Sequence, residues 1–135
     1  MYAKVLVAVD FEHEEVGLHL VNVGRFLAGS GEVTVLHVVQ SVPNYVAIQA
    51  PADIIERHRQ EAHGRLTEIA RGGATLTAYG NPANVILEEA SRLGCHAIVI
   101  GSHQPGSRQF LLGSTAAKVV RHATCSVVVD RSFKH

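Results

Sequence analysis

A chain of 135 residues, 47% of them hydrophobic, has room for one ordinary domain with a continuous buried core and none for a second, so residues 1–135 read as a single domain. Twelve Lys and Arg balance twelve Asp and Glu, which leaves no basic field to draw the protein to nucleic acid or to an anionic membrane. Any anion it binds must be held by local geometry.

The opening Met1-Tyr2-Ala3-Lys4 runs directly into Val5-Leu6-Val7-Ala8-Val9 with neither a charged n-region nor a cleavable apolar stretch, so a cytoplasmic protein is expected. That apolar run is rich in β-branched residues and apolar on both faces, as a strand inside a parallel sheet must be. Similar runs at 33–39, 74–79, 97–100 and 126–129 bring the count to five strands. After the first, Val16, Leu20, Val23 and Leu27 recur at helical spacing until Gly29-Ser30-Gly31. Residues 40–50, with Pro43 and Asn44, form the one long irregular connection; its Tyr45, Val46 and Ile48 either cover a pocket or pack on the sheet edge. The second helix begins near Pro51, carries Ile54, Ile55, Leu66 and Ile69, and stops at Gly72-Gly73. Asn81-Pro82 opens a third helix with Val85, Ala90 and Leu93 inward, and Gly94 closes it. The last helix has Ala116, Val119, Val120 and Ala123 as its apolar face. No apolar run approaches the roughly 20 residues that a membrane-spanning helix needs.

Strands alternating with helices require right-handed crossovers, hence a doubly wound α/β fold: a five-stranded parallel sheet with helices on both faces. The order 3-2-1-4-5 is taken as the working assumption. Cys95 and Cys125, each at the start of a strand, read as small buried hydrophobes. None of the nine histidines has an i, i+4 partner, and His58 and His63 stand about 140° apart on a helix, so no metal is expected.

Open α/β sheets bind ligands beyond the carboxyl ends of their strands where the strand order reverses, which for this order lies between the first and fourth strands. Asp10 follows the first. After the fourth come Gly101, Ser102, His103 and Gln104, and the segment continues to Gly113-Ser114-Thr115 at the start of the last helix. Gly101 admits a ligand to the strand end without a Cβ in the way, and Gly113 gives a tight entry that turns the helix's first N–H groups outward. With the Ser114 and Thr115 hydroxyls and the helix dipole, this arrangement suits a phosphate. The same Gly-Ser-Thr is equally an ordinary helix cap, and both readings stay open. There is no Gly-x-x-x-x-Gly-Lys-Ser/Thr string and no Gly-x-Gly-x-x-Gly after the first strand, so neither a P-loop nor a dinucleotide fold is indicated.

Four segments together resemble the universal stress protein family: Val7-Ala8-Val9-Asp10; Val33 through His37 to Val39; Ala97-Ile98-Val99-Ile100-Gly101-Ser102-His103; and Leu111-Leu112-Gly113-Ser114 with the close from Val119 to Val129. The resemblance covers essentially the whole chain. It implies an adenine nucleotide-binding regulatory protein of the stress response, not a dedicated enzyme. ATP or another adenine nucleotide, with or without Mg, is the implied ligand. In the ATP-binding branch a Gly-x2-Gly-x9-Gly-Ser/Thr loop wraps the phosphates; Gly101 matches its first glycine and Gly113-Ser114 its last pair, with Thr115 next in line. Asp10 is implied beside base and ribose, the Val38 main chain at the adenine, and Ala8 and Ile100 in the base pocket. The departure is Gln104 in place of the second glycine, in a loop one residue shorter, with Gly106 able to re-form the turn. His103 is placed beside the nucleotide, without a nucleophile or orienting carboxylate near it in sequence. The resemblance also implies a homodimer through the last strand, residues 126–129. Rival readings are a relative with the pocket closed by Gln104, and a slow ATPase or self-phosphorylating protein using Ser114 or Thr115.

Overall fold

A computed structural model describes residues 2–10, 14–39, 52–102 and 113–132. The elements in chain order are β1 (Lys4–Val9), α1 (Glu14–Ala28), β2 (Glu32–Val39), α2 (Ala52–Ala70), β3 (Ala74–Tyr79), α3 (Pro82–Leu93), β4 (Ala97–Gly101), α4 (Ser114–His122) and β5 (Ser126–Asp130). All four strand pairings are parallel and the order is β3-β2-β1-β4-β5, as expected.

The two-residue period of the strands divides the core into two layers. Val5, Val7 and Val9 of β1, Val35 of β2 and Ala97 and Val99 of β4 point to the side of α1 and α2, where they meet Leu20, Val21, Leu66 and Ile69. Their neighbours Leu6, Leu36, Ile98 and Ile100 pack on the other side with Ala83, Val85, Ile86 and Ala90 of α3 and Ala116 and Val119 of α4. Burying a Val, Leu or Ile side chain contributes about 1.5–3 kcal/mol, so two apolar faces on the central strands are what hold a sheet this small.

Local chemistry fixes the helices. The Asn81 side chain accepts a hydrogen bond from the Asn84 amide at 3.1 Å, Pro82 supplies the first turn of α3, and Gly94 closes the helix at φ 68°. Arg25 of α1 donates through Nη2 to the Ala70 and Arg71 carbonyls, closing the C-terminal end of α2 from a neighbouring helix. Two apolar residues expected inside are not. Ile54, in the first turn of α2, is 43% exposed, and Val120 is 47% exposed. Val120 stands about 40° round from Ala116. Because α4 packs on α3 and on the edge strand β5, at the border of the sheet, that flank has nothing to cover it among the described residues.

Candidate functional site

Parallel strands bring every C-terminal end to one edge of the sheet. From β1 the chain moves outward through β2 and β3 on one side and through β4 and β5 on the other, so the order reverses between β1 and β4. The pairing of Val7 with Val99 carries Ala8 alongside Ile100. On the other flank Ala8 pairs with Leu36, and Val38 lies two residues further along β2, on the same face. Ile100 is buried and Ala8 and Val38 are half-buried, all three against the layer formed by α3 and α4. They make an apolar floor that opens at its rim. Asp10, exposed, follows Val9, and continuing the β1–β2 register sets it opposite Val38.

The first turn of α4 belongs to the same face, since Ala116 packs in one cluster with Ile100. Gly113 is its N-cap and has no side chain to offer the first amides; the first helical bond is Ala117 N–H to the Gly113 carbonyl at 2.9 Å. A Ser, Thr, Asn or Asp at that position would itself accept one of the orphan N–H groups. Ser114 is exposed and Thr115 half-buried. The site thus sets the positive end of a helix dipole near an apolar floor and a carboxylate.

Both glycines act differently from the reasons given above. Gly113 has φ −62° and ψ 157°, extended backbone open to any residue, so its use lies in being small and buried and not in a special turn. A Cβ on Gly101 would come within 3.8 Å of Val16 and Leu20, ordinary contact on the α1 side and away from the floor formed by Ala8 and Ile100. The strand's own alternation explains this, because residue 101 shares a face with Val99. His103, Gln104 and Gly106 lie outside the described residues, as do residues 40–50.

Sequence reasoning missed a polar network at the same edge. His19 Nε2 lies 2.9 Å from Asp130 Oδ2 and 3.1 Å from Ser132 Oγ, while the Ser132 hydroxyl donates to Asp130 Oδ1 at 2.5 Å and its amide to the same oxygen at 2.9 Å. One ring nitrogen therefore donates to both partners and the serine proton goes to the carboxylate. The hydroxyl meets a carboxylate whose basicity these same bonds lower, and the imidazole nitrogen facing it is a donor, so the group reads as a clasp joining α1 to the end of β5. Burial alone would raise the Asp130 pKa, but the hydrogen bonds from Ser132 and His19, with the imidazole charge, outweigh it and hold the carboxyl below its ordinary range. The available signal was His19 itself, a polar residue at i+3 from Val16 within the inward stripe of α1. His37, on the α1–α2 side, is kept neutral to lower pH by burial; Asp10 opposes that shift and Arg65 adds to it.

The family model described as "Universal stress protein family" matches residues 1–131. Universal stress protein G of Salmonella typhimurium is 32% identical over 142 aligned positions, spanning 97% of this chain and 100% of that protein. Among solved structures, hypothetical protein MJ0577 superposes with a TM-score of 0.74 at 26% identity, over 96% of this chain and 95% of the other. The universal stress protein UspA from Lactobacillus plantarum gives 0.65 at 22%, over 95% and 97%. Four motif segments, a 3-2-1-4-5 parallel sheet and a match over nearly the full length agree, and the chain belongs to the universal stress protein family.

Proposed function

We propose that this protein is an adenine nucleotide-binding regulator whose occupied state alters its association with itself or with partners. The observation that carries the reading is the sharing of one sheet face, at the switch point, by the Ala8–Ile100–Val38 floor and the first turn of α4. An adenine needs a flat apolar floor with main-chain partners at its rim, and a phosphate tail needs outward N–H groups. The base lies over Ala8 and Ile100 with the Val38 main chain at its edge, and Asp10 accepts from the ribose. Gly101, Gly113, Ser114 and Thr115 border the phosphates, with His103 and Gln104 in the connecting loop. Support from relatives is of the same kind: one universal stress protein has been solved in complex with cAMP, at 20% identity, and that from Archaeoglobus fulgidus in complex with dAMP, at 21%.

Titration calorimetry of the purified protein with ATP, with and without Mg, tests this. Saturable binding is expected, weakened about 5- to 10-fold by Asp10→Ala and by Ser114→Ala, the value of one hydrogen bond near 1 kcal/mol. No heat at millimolar ATP, together with no nucleotide extracted from freshly purified protein, would remove the proposal. The second state of the switch is taken to be a change in the homodimer formed through β5, considered below.

A further inference from the structure

At the opposite edge of the sheet, where the strands begin, the two cysteines lie together. Cys95 follows the Gly94 cap of α3, its amide bonded to the Ala90 carbonyl at 2.9 Å, and Cys125 immediately precedes β5. The pairing of Ala97 with Ser126, and the bond from the Ser126 amide to the His96 carbonyl at 3.2 Å, set Cys95 and Cys125 on adjacent chains one residue out of step. Strands about 4.8 Å apart with a stagger of about 3.3 Å put the two Cα atoms roughly 6 Å apart, inside the window of about 4.4–6.8 Å that a disulfide bridges. Regular alternation would turn them to opposite faces, but both lie before the strands begin, and both pack against the cluster under α3 and α4. Both also line two surface cavities, one of about 700 Å³ with Tyr2, His96 and Thr124 and one of about 380 Å³ with Leu87 and His122. Each is a free, half-buried thiol with solvent access.

We propose that Cys95 and Cys125 form a vicinal dithiol that closes to an intramolecular disulfide by exchange with a small disulfide of the glutathione class. One thiolate attacks a sulfur of the small disulfide, forms a mixed disulfide and expels one thiolate, which takes a proton from the medium. The second cysteine, deprotonated, attacks the protein-side sulfur of that bond and expels the other. The two cysteines give up two protons and two electrons, and the small disulfide is reduced to two thiols. No third ligand gathers at the pair, since among the described residues no group of three His, Cys, Asp or Glu is placed to hold a metal. Burial raises both thiol pKa values, that of Cys95 further through the neighbouring Cys125, so exchange is slow at neutral pH and faster as pH rises toward the ordinary thiol value of 9.0. The bond would enclose everything between β4 and β5, including α4 and the connection that precedes it. It would fasten the entry of the edge strand to its inner neighbour.

The test uses the native protein incubated with oxidised glutathione at about pH 8.5 and quenched with acid, then thiol counting and intact mass. Both thiols are expected to disappear together, leaving a single chain, not covalently linked to another, that is two hydrogens lighter and returns to the starting mass with a dithiol reductant. Cys95→Ala and Cys125→Ala should each stop at a mixed disulfide carrying one glutathione. Two glutathiones on the wild-type chain, a disulfide between chains, or thiols that react only in denaturant would each overturn the proposal. The readout does not involve nucleotide, so its outcome is separate from that of the binding experiment.

Discussion

Among the described residues the fold raises the two thiol pKa values and lowers those of Asp130 and His37. For Asp130 the folded chain holds the carboxylate more tightly than the unfolded chain does, so its contribution is complete above the ordinary value of 3.8 and is lost as pH falls through the lower folded value. Asp130→Asn should therefore lower stability at neutral pH, by about 1–2 kcal/mol for a charge-assisted network at the surface. Its deficit relative to wild type should shrink as acid unfolding is approached. His37 has the same sign for a different reason. The unfolded imidazole takes up a proton near 6.5 while the half-buried one resists it, so stability falls as pH drops below that value. Urea unfolding from about pH 8 to about pH 5.5 should show this slope, and His37→Gln should flatten it. An unchanged slope would mean that other histidines govern the range. From the sequence His37 was only a landmark inside the second strand, and Asp130 carried no signal. The His19–Asp130 contact joins positions 111 apart, a separation that no local pattern reports.

The elements themselves were legible wherever a period or a punctuating residue was present. Five apolar runs became five strands, Asn81-Pro82 and Gly94 bounded α3, and the parallel direction followed from alternation with helices, whereas the order 3-2-1-4-5 had to be assumed. Less legible was how closely each helix approaches the sheet, because that depends on single atoms across the layer. Gly24 shows it. Mid-helix, a glycine costs about 1 kcal/mol relative to alanine, and on sequence alone it is a weak point in α1. In the fold a Cβ there would stand 2.5 Å from Cγ2 of Val7, a fully buried side chain with no room to withdraw. Gly24→Ala should accordingly destabilise in spite of better helix propensity, by about 1–3 kcal/mol from overpacking less the propensity gained. Gly64→Ala is the control: nothing lies within 4 Å of its added Cβ, and it should be neutral or slightly stabilising by thermal or urea unfolding. Gly101 teaches the reverse lesson. Its missing Cβ was read as clearing the way for a ligand, whereas strand parity turns that Cβ position toward α1, which leaves its main chain as the part that can border the proposed phosphates.

At the scale of the whole molecule, the pattern of hydrogen bonds along β5 says which of its residues remain for a second chain. The Ser126 amide donates to His96 and the Ser102 amide donates to the Asp130 carbonyl, so residues 126, 128 and 130 direct their backbone groups to β4. Parallel pairing alternates, and Val127 and Val129 therefore present N–H and C=O to the open side, where among the described residues β5 has no other strand. An edge of half-buried valines with free backbone groups, beside the exposed Val120 of α4, is what an isologous strand-to-strand dimer would cover. Proline distinguishes the two sets of backbone groups. Val129→Pro removes an N–H that only a partner uses, so it should leave a folded monomer with a melting temperature near that of wild-type monomer. Val128→Pro removes a bond to β4, and its main effect should be on folding, about 3 kcal/mol or more. Sedimentation velocity at tens of micromolar should then show a wild-type dimer, a monomeric Val129→Pro and a destabilised Val128→Pro. A wild-type protein that sediments as a monomer, or a Val129→Pro that stays dimeric, would mean that the β5 edge is not the interface and that nucleotide cannot act through it.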